Sequence, residues 1–590
     1  MANIVTAVLG FLLLGLIAAY FKFLYRKLRP GEPPIAPGHW FWGNCIQFKE
    51  HAVKFLLKTH AMCGDVFTVR FLNQHITMVL DIHSYERFSR EKNFDFHAIE
   101  KQVNRNVFQY ELVNSRKMIR EAGQKVNGRH LFSSMENFAQ NLTEAFKETI
   151  SGEADTQASS NSNILKADAA MQDQSEKVKK LNILNTAPSA TTRNNSAIND
   201  INSVSSVHQQ PSPAPSLASP DDTTSDPIIN INNDTIGQKV SSWHEDDLRN
   251  FASRIFFSPL FYSIFGRGVK GQEKSFQPQV FHKMFDQFHK YFNFLWLGVP
   301  PQLFPEAVKA GAVLGQQPHS GEMVKRDGCS EYIKFATEFM LKHGQTEREI
   351  VSHNLVFLHV NYNTFRVVYW CMYKLMEEAG VMAALKAEVD EVIEAKRSGA
   401  TPEEAVAEFT ADDINKMPAV DSFLKEIFRC MSGVFMIRKV LKDTSFTTES
   451  GAVYNMREGD RVAIYPPAFH YDPEIYEDPE TFKYDRYIDA TFYKNGKEIK
   501  HPVIGFGSLC PGQKLAILEI KWFIINLINS FKLELLDGER TMPNINMYGH
   551  EILPPTHDVR CRFLAKEKPV KLTYFNNFGT ANTHREEERS

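Results

Sequence analysis

The sequence predicts a mainly helical protein with a minor β-sheet and an N-terminal transmembrane helix. Apolar residues at helical spacing dominate most of the chain, with long helices predicted at 349–380 and 513–530. Alternation typical of strands is confined to short pieces such as DVFTVRF, HITMVLD, AVYNMREGDRVAIYP and DVRCRFL. No charged side chain occurs from Ala2 to Phe21, and about 20 apolar residues suffice to cross a bilayer as a helix.

Residues 2–22 are therefore predicted to anchor the protein in a membrane. The basic run KFLYRKLR follows the apolar stretch, whereas the charges of a cleaved signal peptide precede it. By the positive-inside rule, the body is expected on the cytoplasmic side. Residues 23–38 are basic and Pro-rich, and proline lacks the N–H that a helix needs, so a stiff hinge is predicted there.

Polar segments set the remaining boundaries. From about 152 to 240 the chain is rich in Ser, Asn and Pro with few aromatic residues, so it cannot bury enough apolar surface to offset the entropy of ordering. We expect a disordered insert there, interrupting a domain that spans 39–570. Residues 571–590 are predicted to be a polar C-terminal tail. Within the domain, 51–62 is predicted to be a short helix, and DVFTVRF and HITMVLD are predicted to pair as a hairpin.

Composition excludes some functions. With 43% hydrophobic residues, 45 Phe and a net charge of -3, the chain can bury a large core and has no basic excess for nucleic acid. Seven scattered cysteines, none spaced as CxxC, argue against a disulfide framework and a zinc site and fit a reducing compartment. A functional cysteine would act singly.

One cysteine lies in a favourable position for chemistry. In VIGFGSLCPGQKLAILEIKWFI, Cys510 stands between a glycine loop and a predicted helix, and loop N–H groups with a helix N-terminus stabilise a thiolate. A structural buried cysteine is the ordinary alternative. The helix is expected to pack through one apolar stripe, formed by Leu515, Leu518, Trp522, Ile525 and Ile528.

Charged and polar residues elsewhere suggest two further features. Glu426 and Arg429 in FLKEIFRC lie three residues apart on a helix, where such pairs are usually solvated and contribute about 0.2–0.5 kcal/mol. Arg486, in a later Pro-rich run, could join them in a buried network. Asn363 and Thr364 interrupt the apolar helix FLHVNYNTFRVVYW; the threonine either bonds back to a carbonyl or, with the amide, relays protons at a cofactor.

The ExxR motif, a run ending in FKYDR and a glycine loop with CPG occur in the order that resembles the cytochrome P450 haem-thiolate enzymes. The resemblance looks closest to the branch of microsomal sterol 7-alpha and 12-alpha hydroxylases of bile-acid synthesis and prostacyclin synthase. It rests on LKTHAMCGDVFTVRF, NFDFHAI, DPEIYEDPETFKYDRYI, FYKNGKEIK and LPPTHDVRCRF. It implies the P450 fold over most of 35–150 and 245–570.

The resemblance implies roles for these residues. Cys510 would be the axial ligand of the iron of haem b, whose electron donation favours O–O cleavage, and Phe506 and Gly512 would belong to its loop. Arg438 in FMIRKV would pair with a haem propionate, unless it is an isolated surface arginine.

The polar helix residues and the ExxR motif also receive roles from the resemblance. Asn363 and Thr364 would lie over the distal face, where Thr364 helps to protonate dioxygen. Glu426, Arg429 and Arg486 would hold the loop behind the haem.

Three functions follow from the resemblance. The first is a sterol or lipid monooxygenase in the endoplasmic reticulum membrane that receives electrons from NADPH through NADPH-cytochrome P450 reductase; Thr364 favours it. The second is an isomerase of an oxylipin endoperoxide that needs no reductase. The third is a haem-poor or inactive homologue, because Phe506 stands four residues before Cys510 instead of the seven usual in the family. Tyr362 and His359 in the distal helix and the absence of Trp from 101–130 also depart from the pattern.

Overall fold

The computed structural model describes Gly15 and residues 26–71, 74–151, 242–268, 276–399, 405–506, 510–547 and 551–575. Over these ranges the protein is mainly helical with small sheets, as the sequence predicts. The predicted insert at 152–240 and, apart from Gly15, the predicted anchor at 2–22 lie outside the described residues. No helix within the described ranges combines the length and the apolar character that a membrane span requires.

Helices account for about half of the described chain. In chain order they are α1 Cys45–Cys63, α2 Tyr85–Arg90, α3 His97–Asn106, α4 Ser115–Gly123, α5 Arg129–Ser151, α6 Leu248–Ala252, α7 Ser258–Phe265, α8 Pro278–His289, α9 Phe292–Trp296, α10 Pro305–Leu314, α11 Ser320–Met323, α12 Glu331–Lys342, α13 Glu347–Glu377, α14 Ala379–Lys396, α15 Ala411–Asn415, α16 Pro418–Met431, α17 Pro467–His470 and α18 Gln513–Ser530. The predicted long helices correspond to α13 and α18. The helix predicted at 51–62 corresponds to α1. This helix is longer than predicted, since it begins at Cys45 and continues through a kink at His51.

The strands form small separate sheets. They are β1 Val66–Phe71, β2 Gln74–Val79, β3 Phe94–Asp95, β4 His244–Asp247, β5 Gly266–Arg267, β6 Asp327–Cys329, β7 Arg397–Ser398, β8 Val406–Phe409, β9 Met436–Val440, β10 Thr444–Thr447, β11 Val453–Met456, β12 Arg461–Ile464, β13 Tyr493–Lys494, β14 Lys497–Glu498, β15 Phe531–Leu535, β16 Arg560–Ala565 and β17 Lys571–Tyr574. The largest has the order β1-β2-β12-β9-β3. The antiparallel pairing of β1 with β2 confirms the predicted hairpin strands.

The long helix α13 lies at the centre of the largest hydrophobic core. It begins with a capping box, in which the Thr346 side chain accepts from the Glu349 N–H and the Glu349 carboxylate accepts from the Thr346 N–H at 2.8 Å. Its second half is buried on nearly every face. A helix fixed in this way is a rigid support for the polar residues in its middle.

The helix α18 differs from its prediction. We expected one apolar stripe, but every residue from Leu518 to Ser530 is buried, including Glu519 and Lys521. The reason is that α18 packs against α5, α13, α14 and α16 at once. Lys521 is tolerated because it donates to Asp421 at 2.6 Å.

Both predicted flanking segments are in part folded onto the domain. In the hinge, Arg26 pairs with Asp460, and Glu32 accepts from Arg457 at 2.8 Å, so both residues are tied to the turn between β11 and β12. In the predicted tail, β17 pairs in parallel with β8. The boundaries of the hinge and of the tail are predicted from composition, which does not reveal pairing with distant residues.

Candidate functional site

The carboxylate of Glu426 and the guanidinium of Arg429 form a completely buried pair on α16. Both side chains are 0% exposed, and Arg429 donates to the two carboxylate oxygens at 2.7 and 2.8 Å. The same guanidinium donates to the carbonyls of His470 at 2.8 Å and Pro479 at 2.6 Å. This pair is therefore structural and not a solvated surface pair.

Arg486 joins this pair, as the sequence suggested. Its Nε donates to Glu426 at 3.0 Å, and its terminal nitrogens donate to the carbonyls of Glu477 at 2.6 Å and Thr481 at 2.8 Å. The Lys483 N–H also donates to Glu426, at 3.0 Å. The network thus ties a long irregular segment, which has few backbone partners of its own, to α16.

The segment before Cys510 packs on the same helix. The Phe506 ring lies 4.6 Å from the Phe428 ring of α16, measured between centroids. A Cβ added at Gly505 would come within 3.3 Å of Phe428, so glycine allows this close approach. Residues 507–509, including Gly507, lie outside the described chain. At Gly512 an added Cβ would meet nothing within 4 Å, so close packing does not explain that glycine.

Cys510 is an exposed, free thiol that precedes the first turn of α18. Although the residue is exposed, protein surrounds the sulfur itself, and this burial raises the pKa of the Cys510 thiol. The N–H groups of Gly512 and Gln513 lower that pKa, and the negative charge of Glu551 raises it further. The helix N-terminus therefore contributes as the sequence predicted, but it does not outweigh burial. A cation at the sulfur would reverse this balance, since a thiol that coordinates a metal is deprotonated outright.

In the middle of α13 one narrow face is accessible. Val360 is 52% exposed, although Leu358, His359 and Tyr362 around it are buried. Val356 and Asn363 share this face and are half-buried, and we call the three residues the open stripe. Asn363 donates only weakly, to the Val360 carbonyl at 3.5 Å. The amide of Asn363 is thus available at an accessible position.

Thr364 lies at the edge of the open stripe and is 6% exposed. Thr59, Thr143 and Thr149 donate to the carbonyl four residues earlier, at 2.8–2.9 Å. The Thr364 hydroxyl makes no such bond to any described residue, so the ordinary structural explanation of a threonine inside a helix does not apply here.

The carboxylate of Glu551 acts electrostatically on both Cys510 and α13. Glu551 is close enough to Cys510 to influence the pKa of its thiol. It also acts on His359 and Arg366 of α13, where burial lowers the pKa of each side chain and Glu551 opposes that change. One carboxylate therefore influences both the thiol of Cys510 and the buried polar residues of α13.

Arg438 is not an isolated surface arginine. It lies on β9, is 6% exposed, and its guanidinium carbon is 5.5 Å from the Phe88 ring centroid. Burial lowers the pKa of Arg438, with Tyr85 and Asp95 acting in the opposite direction. A buried cation of this kind suits an anionic group of a cofactor.

Tyr362 does not obstruct the open stripe. It lies two residues after Val360, which turns it about 200° around the helix, and its hydroxyl donates to Asp286 of α8 at 3.2 Å. Asp286 also pairs with Arg249 at 2.5 Å. The sequence reasoning missed these charged partners and Arg366, although a charge inside an apolar helix was the available signal.

The donor set fits haem. The accessible thiol of Cys510 before α18 offers one axial ligand, the open stripe of α13 offers an accessible face, and Arg438 offers a buried cation. Within the described ranges, no group of three or more His, Cys, Asp or Glu residues could hold a metal ion by itself. A porphyrin iron that needs only one protein ligand is compatible with that finding.

Comparison with known proteins points the same way. The family model for cytochrome P450 matches residues 229–559. Cytochrome P450 7A1 of Oryctolagus cuniculus is 25% identical over 560 residues, which cover 92% of this chain and 95% of that protein. Cytochrome P450 7A1 of Sus scrofa is 30% identical over 338 residues, 55% of this chain and 67% of that protein. The 5-beta-cholestane-3-alpha,7-alpha-diol 12-alpha-hydroxylase of Sus scrofa is 24% identical over 575 residues, 94% and 98% respectively.

The buried network gives a first prediction. Replacing Glu426 by alanine leaves two buried guanidinium groups without their carboxylate, so we expect Glu426→Ala to lower the free energy of unfolding by about 3–5 kcal/mol. Urea unfolding followed by circular dichroism measures this loss. As a control on the same helix, Lys425→Ala removes an exposed ion pair with Asp421 and is expected to cost less than about 1 kcal/mol. Equal losses in the two variants would contradict a stabilising role for the network.

Proposed function

The chain belongs to the cytochrome P450 family, and from that premise we propose that it is a membrane-anchored haem-thiolate monooxygenase that hydroxylates a sterol or a related lipid. Dioxygen would be the oxidant, and NADPH would supply electrons through NADPH-cytochrome P450 reductase. The observation that carries the proposal is an accessible free cysteine directly before α18, in a segment that Phe506 holds against Phe428 of α16. The sterol hydroxylases among the relatives support the substrate class.

Haem b, when bound, would supply the cleavage of the O–O bond, which an axial thiolate favours. Cys510 would hold the iron, and the N–H groups of Gly512 and Gln513 would support the sulfur. Phe506 would fix the loop through its contact with Phe428. Arg438 would pair with a haem propionate. Its guanidinium is already buried, so little further water would have to leave it when the pair forms.

Thr364 and Asn363 would take part in proton transfer. The Thr364 hydroxyl has no carbonyl acceptor within the described part of its helix, so it can both accept and donate a proton at the open stripe. Asn363 offers an amide beside it, about 100° away around the helix. These two groups would position and protonate the oxidant, while the apolar Val360 between them would keep bulk water away.

The ligand assignment has a direct spectroscopic test. The reduced protein with bound carbon monoxide is expected to show the red-shifted absorption band of thiolate-ligated haem, and Cys510→Ser is expected to abolish it because serine offers no thiolate. Cys63→Ser, at a half-buried cysteine on α1, is the matched control and should retain the band. A Cys510→Ser protein that keeps the band would refute the assignment, and a wild-type protein without it would favour a haem-poor homologue.

Assays of product formation distinguish the proposed hydroxylase from the alternative isomerase. Purified protein is supplied with a sterol panel or a fatty-acid endoperoxide, with and without NADPH and reductase, and products are identified by mass spectrometry. We expect a hydroxylated sterol only with electrons, and we expect Thr364→Ala to lower its formation at least about tenfold, because a proton donor is lost. Thr59→Ala, whose hydroxyl bonds a carbonyl of α1, is the control. Rearrangement of the endoperoxide without NADPH would overturn the proposal in favour of the isomerase.

Membrane attachment is proposed at two places. Residues 2–22 form the apolar run, and a second apolar surface lies on the described domain, where Phe294, Leu297 and Leu303 are 53%, 52% and 66% exposed within a short stretch that includes α9. Exposed apolar groups of this size are costly in water and favourable in lipid. Such a surface would place the domain where a sterol can enter from the bilayer.

The second attachment surface is tested on protein lacking residues 2–22. We expect this protein to sediment partly with phosphatidylcholine vesicles, and we expect the triple change of Phe294, Leu297 and Leu303 to serine to prevent it, because the apolar contact with lipid is removed. Val453→Ser, at an exposed apolar residue of β11, is the control for exposed area alone. Equal sedimentation of all three proteins would refute the second surface.

A further inference from the structure

A chain of hydrogen bonds joins three buried polar side chains of α8 and α13. Arg366 donates to His289 Nδ1 at 3.1 Å, and His289 Nε2 lies 3.0 Å from His359 Nδ1. The exposed fractions of Arg366, His289 and His359 are 6%, 2% and 7%. Polar groups this deeply buried require hydrogen-bond partners, so the direction of each bond matters.

The arginine fixes the direction of the whole chain. A guanidinium can only donate, so His289 Nδ1 must accept and the proton of that ring is on Nε2. His289 Nε2–H then donates to His359 Nδ1, which must also accept. The remaining proton of a neutral His359 is therefore on Nε2. Burial lowers the pKa of His359, although Glu551 opposes that change, so the neutral ring is the stable form at neutral pH.

The Nε2–H of His359 is thus a donor with a fixed direction and with no acceptor among the described residues. His359 is 7% exposed and directly precedes Val360, which is 52% exposed. Aromatic rings surround His359, with Phe292 stacked at 4.7 Å and Phe108 at 5.8 Å between centroids. A donor in apolar surroundings without a partner is costly, and a ligand acceptor would remove that cost.

The position of His359 relates this donor to the proposed reaction site. His359 precedes Asn363 by one helical turn and differs from it by about 40° around α13, so it borders the open stripe. It precedes Thr364 by five residues, which is about 7.5 Å along the helix axis. An oxygen bound at His359 would therefore hold a molecule that extends along α13 toward Thr364.

We propose that His359 Nε2–H binds an acceptor oxygen, a ketone or a hydroxyl, on the lipid substrate and so sets its orientation over the open stripe. This inference rests on the proposed lipid hydroxylase function. His359 is the specificity residue, and His289 and Arg366 are positioning residues that hold it as a donor. The N–H offers an oxygen a hydrogen bond that a hydrocarbon cannot accept, so one polar contact in an otherwise aromatic wall distinguishes oxygenated lipids from hydrocarbons.

The test compares three radiolabelled probes that differ only at one end: cholest-4-en-3-one, cholesterol and 5α-cholestane. Their dissociation constants are measured by gel filtration in detergent micelles, a method that does not depend on haem absorption. We expect His359→Phe to weaken binding of the ketone and the alcohol about tenfold, the loss of one hydrogen bond, and to leave the hydrocarbon unchanged. His359→Gln, which restores an N–H donor, should recover part of the loss.

The control is His282→Phe, at another buried histidine of α8 that packs against Phe257 and Phe365 and should not alter discrimination among the probes. The inference is overturned if His359→Phe changes all three constants by one factor or none, or if the wild-type protein binds no probe. Discrimination that depends on His359 in a protein without the carbon monoxide band would support this inference and refute the haem proposal alone.

Discussion

The hydrogen bonds to the buried carboxylate of Glu426 are the interaction on which the irregular segment beside α16 depends. This carboxylate accepts from Arg429, from Arg486 and from the Lys483 N–H, and the two arginines in turn hold backbone carbonyls of an irregular segment. A buried ion pair adds little to stability by comparison with apolar packing, but removing one partner is costly. The network therefore fixes one conformation of a loop that has no regular hydrogen bonding to fix it.

The helix that carries this network also supports the segment before the cysteine, because Phe428 of α16 packs against Phe506. The helix α16 thus contacts both the meandering segment and the chain that leads to Cys510. The sequence has fewer residues between Phe506 and Cys510 than the family pattern. The sulfur nevertheless accepts hydrogen bonds from the N–H groups of Gly512 and Gln513. The raised pKa of the Cys510 thiol follows mainly from burial, which a coordinated cation would offset.

Some of this arrangement could be predicted from sequence because it depends on local spacing. The helices α13 and α18 are long and mostly apolar, and the pair of Glu426 and Arg429 is separated by three residues on one helix. The burial of Glu519 and Lys521 could not be predicted, because it depends on helices that pack around α18 from distant parts of the chain. The bond between Arg366 and His289 likewise joins residues 77 positions apart. Periodicity indicates which side of a helix is apolar, but it does not indicate which distant group a buried polar residue meets.

The two departures in the distal helix have a common physical explanation. Tyr362 and His359 are large polar residues in a position where small ones would leave more room, yet both are buried and bonded to residues of α8. Tyr362 donates to Asp286, whose pKa is lowered because Arg249, His282 and Arg366 together outweigh the opposing effect of burial. His359 accepts from His289, which accepts from Arg366. Asp286 of α8 is thus satisfied by Tyr362 and by Arg249 of α6, while Arg366 donates to His289. On its accessible side α13 presents Val356, Val360 and the Asn363 amide, and the proposed substrate would also meet the His359 N–H, whose direction is fixed by an arginine two residues beyond Thr364.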